Sequence, residues 1–305
     1  MPGPGGRSRA SARACAELCG ATLSGASVGS HEFTFTPGAR IRGGRFAWDI
    51  GTAGSATMLA LSVLPLACFA AQPVTACITG GVFQDFAPSP HHLHSVLAPV
   101  LRRMGVTVEI AVRRAGYVPR GAGILEVRVT PVERSLAAFS LLDQGRVPHV
   151  AGIAFASHLA ARRVSERMAQ ACEERLTVAG IPSQIRRVED TSALHPGSSL
   201  AVWTETTTGA LLGADRIGAP RRSAEGIGRF VAAALLEDLR AGATVDRHLT
   251  DQVVLFAALA RGRSSYRVPE VTDHLESNLW LAEHCGASVQ VHDRQMRIEG
   301  IGLQR

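Results

Sequence analysis

The sequence repeats one short pattern near both of its ends, and this repeat constrains the fold more than any other feature. AELCGATL at residues 16–23 matches AEHCGASV at residues 282–289, and RRMGVTVEI at residues 102–110 is a weaker third copy. In each copy a pattern typical of a helix leads to a glycine and then to the alternation typical of a strand. We therefore predict units of a helix followed by an antiparallel hairpin, with the glycine ending each helix in a left-handed conformation.

The pattern changes in the middle of the chain. A long helix is predicted from residue 52 to about residue 70, but between residues 148 and 240 strands and helices alternate in a different order with their own apolar faces. We predict an α/β (α+β) fold in which helix pairs pack on four-stranded sheets. A repeat-built main domain would comprise residues 1–147 and 241–305, and residues 148–240 would form a smaller inserted α/β subdomain.

The composition excludes sites that depend on lysine and permits the binding of anions by arginine. With 305 residues, of which 46% are hydrophobic and 19% charged, the chain can bury a sizeable core. The net charge is +6, and all 32 basic residues are arginine because the sequence contains no lysine. Phosphate-binding loops and Schiff bases that need lysine are therefore excluded. Arginine grips phosphates well, so an anionic partner such as nucleic acid is permitted but not required.

Cysteine usage and apolar runs suggest the compartment. The six cysteines form no CxxC pair, which predicts buried, reduced thiols in a cytoplasmic protein. The longest apolar run, residues 58–71, includes Pro65 and is shorter than the roughly 20 residues that span a bilayer. No signal-peptide pattern follows the arginines near the start, so we expect a soluble protein.

Two glycine-containing segments are candidate ligand-binding loops. GTAGS at residues 51–55 precedes the long predicted helix and either binds an anion at the helix N-terminus or only caps it, and capping is favoured. GGVFQDFAPSP at residues 80–90 places Phe83 and Phe86 in a loop, where they either line a pocket or plug the core.

Several polar side chains lie at predicted helix starts. His91, His92 and His94 form either a metal cluster or a set of solvated residues at the helix start, and the second interpretation is favoured. Asp251 and Gln252 precede an apolar helix. They either cap this helix or bind the polar edge of a ligand. By position alone, His274 is a capping or surface residue.

Four segments in order and spacing carry a resemblance to a known family. They are GTAGSATMLALSVLP, GGVFQDFAPSP, GYVPRGAGILEV, and HLTDQ followed by HLESNLWLAE. Together they resemble the RNA 3′-terminal phosphate cyclases over nearly the whole chain. The resemblance implies a repeat-built α/β fold with a smaller inserted domain. It also implies ATP-dependent conversion of an RNA 3′-terminal phosphate to a 2′,3′-cyclic phosphodiester through a covalent histidine–AMP intermediate and an RNA adenylate.

Residue roles follow from that resemblance by motif position. His274 would be the nucleophile that accepts AMP. The ATP site would be lined by His248, Leu249, Thr250, Asp251, Gln252 and Pro88. His248 stands where the family often has an aromatic ring against adenine, and Pro88 would pack on the other face of the base. The implied partners are ATP, a divalent metal ion (Mg or Mn) with ligands that the sequence does not assign, and RNA with a 3′-phosphate end.

The start of the chain departs from the family pattern. Family members begin with a strand and a glycine-rich segment followed by a Gln-His pair, and this sequence starts after the first and does not match the second. Leu61 also stands where a nucleotide-contacting glutamine is common. These departures predict an incomplete first unit and leave two alternatives: either the start of the sequence was placed too late, or the protein is a shortened family member with impaired activity. The alternative function is therefore a non-catalytic or impaired cyclase-like RNA-binding protein. A different repeat-built transferase, such as an enolpyruvyl transferase, is disfavoured by the absence of lysine.

Overall fold

The structure is a computed structural model that describes residues 5–27, 30 and 32–305. The helices are α1 (Gly5–Cys19), α2 (Ala56–Ala67), α3 (Pro90–His92), α4 (Ala98–Arg103), α5 (Val164–Val178), α6 (Ala224–Arg240), α7 (Leu249–Leu259) and α8 (Asp273–His284). The strands are β1 (Thr22–Ser24), β2 (Thr34–Thr36), β3 (Gly44–Asp49), β4 (Val74–Gly80), β5 (Thr107–Arg114), β6 (Gly123–Thr130), β7 (Ser140–Leu141), β8 (Val150–Ser157), β9 (Ser183–Asp190), β10 (Gly197–Glu205), β11 (Leu211–Ile217), β12 (Arg261–Arg267), β13 (Ser288–His292) and β14 (Gln295–Ile301). A π-helical turn, Leu93–Leu97, joins α3 to α4.

The helix-then-hairpin repeat is confirmed in all three copies. Helix α1 leads into the antiparallel pair β1–β2, α4 into β5–β6, and α8 into β13–β14. Gly20, Gly105 and Gly286 follow these helices with φ of +63°, +97° and +96°. That conformation carries a steric cost for residues with a Cβ, so glycine ends each helix as predicted.

The strands form layered sheets that are covered by helices. Three sheets have four strands, in the orders β3-β4-β6-β5, β13-β14-β12-β7 and β11-β10-β8-β9, and β1–β2 form a two-stranded sheet. Helix α2 packs on β4 and β6, α7 on β14, and the pair α5–α6 on β8, β9, β10 and β11. The mixed α/β class with helices on four-stranded sheets is therefore confirmed.

The buried apolar side chains fall into two clusters. One gathers residues mainly from before β8 and after α6, including Leu59, Leu125 and Phe256, together with Leu211 and Ile217 of β11. The other lies between residues 150 and 243 and includes Met168 and Leu235, both fully buried. We call the part of the chain around this second cluster, from β8 to α6, the insert.

The predicted elements differ from the structure in one helix boundary and one missed strand. Helix α2 begins at Ala56 rather than at residue 52, because Gly51 turns the chain with a φ of +73° and the Ser55 side chain caps the helix. The sequence reasoning missed β11, which pairs antiparallel with β10.

The cysteine prediction is partly wrong. All six cysteines are free thiols, but Cys77 and Cys285 are exposed rather than buried. Burial raises the pKa of Cys68 to about 12, so that thiol stays protonated and unreactive. No helix within the described ranges 5–27 and 32–305 is long and apolar enough to cross a membrane.

Candidate active site

Helices α7 and α8 pack against each other and present two histidines at their N-terminal ends. His248 immediately precedes α7, and His274 lies in the first turn of α8. Helix α8 begins here because the Thr272 hydroxyl accepts the N–H of Leu275 at 3.2 Å. Leu275 is fully buried, whereas the neighbouring His274 is exposed. The imidazole of His274 is therefore accessible at the start of a helix that its apolar face fixes in place.

Asp251 connects the two histidines electrostatically. Its half-buried carboxyl has a raised pKa, mainly because burial disfavours the charged form. The imidazoles of His248 and His274 both lie close enough to oppose this shift. Asp251 is therefore the residue on which the charges of both His248 and His274 act.

A residue that the sequence reasoning missed organises the start of α7. One oxygen of Asp246, Oδ1, accepts the N–H groups of His248 and Leu249, each at 2.8 Å. The other oxygen accepts the N–H of Gly213 at 2.8 Å and contacts His92 Nε2 at 3.0 Å. The aspartate before HLTDQ was a recognisable capping signal in the sequence. The Asp246 carboxylate therefore holds the backbone where α7 begins.

His92 and Asp246 form a buried ion pair. Burial alone would lower the pKa of His92, but the charge of Asp246 and its hydrogen bond raise that pKa above its usual value. Burial would raise the pKa of Asp246, but His92 and the backbone donors lower it to about 2. His92 is 1% exposed, so the interpretation of this residue as solvated is wrong. Its ring also meets His248 edge-on, with ring centres 5.8 Å apart.

The loop before α3, which contains Pro88, lies next to His92 and therefore close to the start of α7. Pro88 is half-buried, and the Ser89 hydroxyl after it accepts the N–H of His92 at 3.1 Å. The loop segment and the start of α7 therefore meet through His92, His248 and Asp246. This arrangement brings the two segments that the resemblance assigned to the nucleotide base into one region.

The two phenylalanines of the loop have different roles. Phe83 is 1% exposed and stacks with Tyr117 and Phe155, with ring centres 5.6 and 5.3 Å away, so it plugs the core. Phe86 is fully exposed and lines a cleft of about 430 Å³. The cleft also borders Ser55, whose hydroxyl accepts the N–H of Met58 at 3.2 Å. The capping interpretation of GTAGS is therefore confirmed for Ser55.

The remaining predicted site residues, Leu249, Thr250 and Gln252, lie on α7 and differ in their hydrogen bonding. Leu249 and Thr250 are buried, and the Thr250 hydroxyl donates to the backbone oxygen of Asp246 at 2.8 Å. Gln252 has a buried Oε1 atom that meets no hydrogen-bond donor among the described residues. Gln252 thus has an acceptor atom without a donor in the described part of the chain, whereas Leu249 and Thr250 contribute packing and helix geometry.

The described part of the chain has no preformed cluster of metal-ligating side chains. Residues 5–27, 30 and 32–305 contain no group of three His, Cys, Asp or Glu side chains arranged to hold a metal. The trio His91, His92 and His94 is divided between a buried ion pair, aromatic contacts and an exposed position.

Comparison with known proteins gives a consistent assignment. The family model described as RNA 3′-terminal phosphate cyclase matches residues 4–291. The chain is 38% identical over 268 residues to the RNA 3′-terminal phosphate cyclase of Pyrococcus furiosus, covering 88% of this chain and 76% of that protein. It is 33% identical over 298 residues to the protein of the same name from Pyrobaculum aerophilum, covering 96% and 85%. The chain therefore belongs to the RNA 3′-terminal phosphate cyclase family.

Proposed function

We propose that this protein converts an RNA 3′-terminal phosphate to a 2′,3′-cyclic phosphodiester at the expense of ATP, with His274 as the nucleophile. Family membership supports the reaction. The observation that carries the residue assignment is the exposed imidazole of His274 at the start of α8, beside Asp251 and His248. An unmodified neutral imidazole is an available nucleophile at neutral pH.

The chemistry proceeds in three transfers. A nitrogen of His274 attacks the α-phosphorus of ATP, a P–N bond forms, and pyrophosphate leaves. The RNA 3′-phosphate then displaces the histidine and carries AMP as a phosphoanhydride. The neighbouring 2′-hydroxyl attacks the 3′-phosphorus, closes the ring, loses its proton and expels AMP. No step requires lysine, which the chain lacks.

The chain's own groups suit these steps. The N-terminal end of α8 carries a partial positive charge that stabilises the phosphate attached to His274. His248 and Pro88 would contact the two faces of adenine, while Asp251 and the unpaired amide oxygen of Gln252 would meet its polar edge. Leu249 and Thr250 support these residues from the core. The resemblance implies a Mg or Mn ion with ATP, and its ligands stay unassigned.

The first experiment measures covalent labelling of the protein. We incubate the 305-residue chain with α-labelled ATP and Mg²⁺ or Mn²⁺ and expect an acid-labile, base-stable label. His274→Ala should abolish the label with little loss of stability, because the side chain is exposed. The matched control is His284→Ala, which removes another exposed histidine from the same helix.

The outcomes separate the two functions considered. Label in the His274→Ala variant would show that the nucleophile is wrong. A wild-type protein that binds RNA with a 3′-phosphate, independently of ATP and without any label, would support the non-catalytic cyclase-like alternative. That alternative is favoured by departures from the family pattern such as Leu61.

We also propose the domain organisation and location. Residues 148–240 would be an inserted subdomain and residues 1–147 and 241–305 the main domain. Support comes from the two separate apolar clusters, of which the second lies between residues 150 and 243. A cytoplasmic location stays a prediction from cysteine usage.

A further inference from the structure

We infer that strand β11 of the insert fixes the nucleotide-binding loop, with Asp215 and Arg222 acting as positioning residues. This inference rests on the proposed function, because the loop concerned is the one that carries Pro88. It assigns the insert a role in ATP binding, and it depends on contacts between β11 and two distant segments of the chain.

The first contact lies directly beside Pro88. Asp215 Oδ2 accepts the backbone N–H of Ser89 at 2.7 Å. Because a carboxylate forms a strong charge-assisted hydrogen bond with an amide, it fixes the direction in which the chain leaves Pro88. The Ser89 hydroxyl in turn accepts the N–H of His92 at 3.1 Å. Asp215 thus controls the geometry of the turn from Pro88 to His92.

The second contact holds the other side of the loop. Arg222, just after β11, places Nη1 2.7 Å from Asp85 Oδ1. The same nitrogen donates to the backbone oxygen of Ile217, the last residue of β11, at 3.0 Å. The Arg222 guanidinium is therefore held by the end of β11 while it pairs with Asp85 of the loop. Asp85 and Ser89 bracket Pro88, so the insert holds the loop at two points.

The third contact reaches the start of α7. Gly213 donates its N–H to Asp246 Oδ2 at 2.8 Å, and Asp246 also holds His92 and the start of α7. A Cβ on Gly213 would lie 2.7 Å from Val96 and 3.1 Å from His92, so glycine permits the close approach. Residues two apart in a strand face the same side, which places Gly213 and Asp215 toward these segments together.

A contact elsewhere between the insert and the main domain provides a control. Arg103, at the end of α4, donates to Glu205 at 2.8 Å and to the backbone oxygen of Gly209 at 2.6 Å. This pair joins the insert to the main domain without touching the loop or the start of α7. Loss of Glu205 therefore tests general docking, whereas loss of Asp215 tests loop positioning.

The experiment compares Asp215→Ala, Asp215→Asn, Arg222→Gln and Glu205→Ala in the full chain. We expect Asp215→Ala to raise the KM for ATP, the concentration at which histidine labelling reaches half its maximal rate, about tenfold. The maximal labelling rate should be nearly unchanged. A tenfold change is the size expected for one charge-assisted hydrogen bond. Asp215→Asn keeps an acceptor oxygen and should restore most of the affinity. Arg222→Gln should also raise the KM for ATP. This variant replaces Asp215→Ala as the test of loop positioning if Asp215→Ala folds poorly. Glu205→Ala should match the wild type.

Hydrogen exchange without ATP separates this inference from the proposed function. Amides of residues 85–92 should exchange faster in Asp215→Ala than in Glu205→Ala. Equal exchange and equal KM in these two variants would overturn the inference. If the wild type is not labelled by ATP but the exchange difference is present, the proposed function is wrong while the positioning of the loop by β11 is supported.

Discussion

At the scale of single residues, the pair His92–Asp246 is the most consequential feature outside the motif positions. Asp246 satisfies two backbone donors of α7, one of β11 and the imidazole of His92. Removing one partner of a buried ion pair leaves the other uncompensated, which costs about 3 to 5 kcal/mol. We expect Asp246→Asn to lower the free energy of unfolding by about this amount, measured by urea denaturation at pH 6.

The pH dependence of this pair has a defined sign. Asp246 has a pKa lowered to about 2, so its contribution is complete above the unfolded value of about 4 and is lost as the pH falls toward 2. His92 has a raised pKa, so its contribution is complete below about pH 6.5 and is lost as the pH rises through the folded value. Stability from the pair should peak between about pH 4 and 6.5, and Asp246→Asn should flatten this profile. An unchanged profile would contradict the ion pair.

At the scale of elements, close packing of three glycine-containing segments positions α2. Gly121 has a φ of +69°, and a Cβ there would lie 2.9 Å from backbone atoms of Ala53, Gly80 and Gly81. We expect Gly121→Ala to lower the free energy of unfolding by about 3 kcal/mol, from left-handed strain and overpacking. The control Gly51→Ala has a φ of +73° but open space around the Cβ, so it should cost only about 1 kcal/mol. Equal losses in urea denaturation would show that packing contributes nothing.

Local patterns predicted elements well where periodicity and glycine stops coincide. The helix–glycine–hairpin copies were found because their signals are short-range. Strand β11 was missed because its burial is nearly continuous and its pairing with β10 is a tertiary property. Within the site, His274 was assigned by resemblance. The role of Asp246 was missed because its partners His92 and Gly213 lie far away in sequence, even though its capping position was readable.

At the scale of the whole molecule, the two apolar clusters raise the question of whether the chain unfolds in one step. Met104 and Met168 form a matched pair, since each is fully buried and each belongs to a different cluster. Replacing either by alanine leaves a cavity that costs about 2 to 5 kcal/mol. If the clusters are separate cooperative units, each cavity should destabilise mainly the elements around it.

We therefore expect Met168→Ala to accelerate amide exchange in α5, α6 and β8 to β11, with much less change in α2 and β4 to β6. Met104→Ala should show the opposite distribution, measured by hydrogen exchange at peptide resolution. The contacts of β11 with Ser89 and Asp246 are the route by which destabilisation of the insert would reach residues 85–92 and the start of α7. Residues 85–92 should then respond to Met168→Ala more than the other elements around the first cluster. Uniform acceleration across the chain in both variants would instead show that the two clusters unfold as one unit.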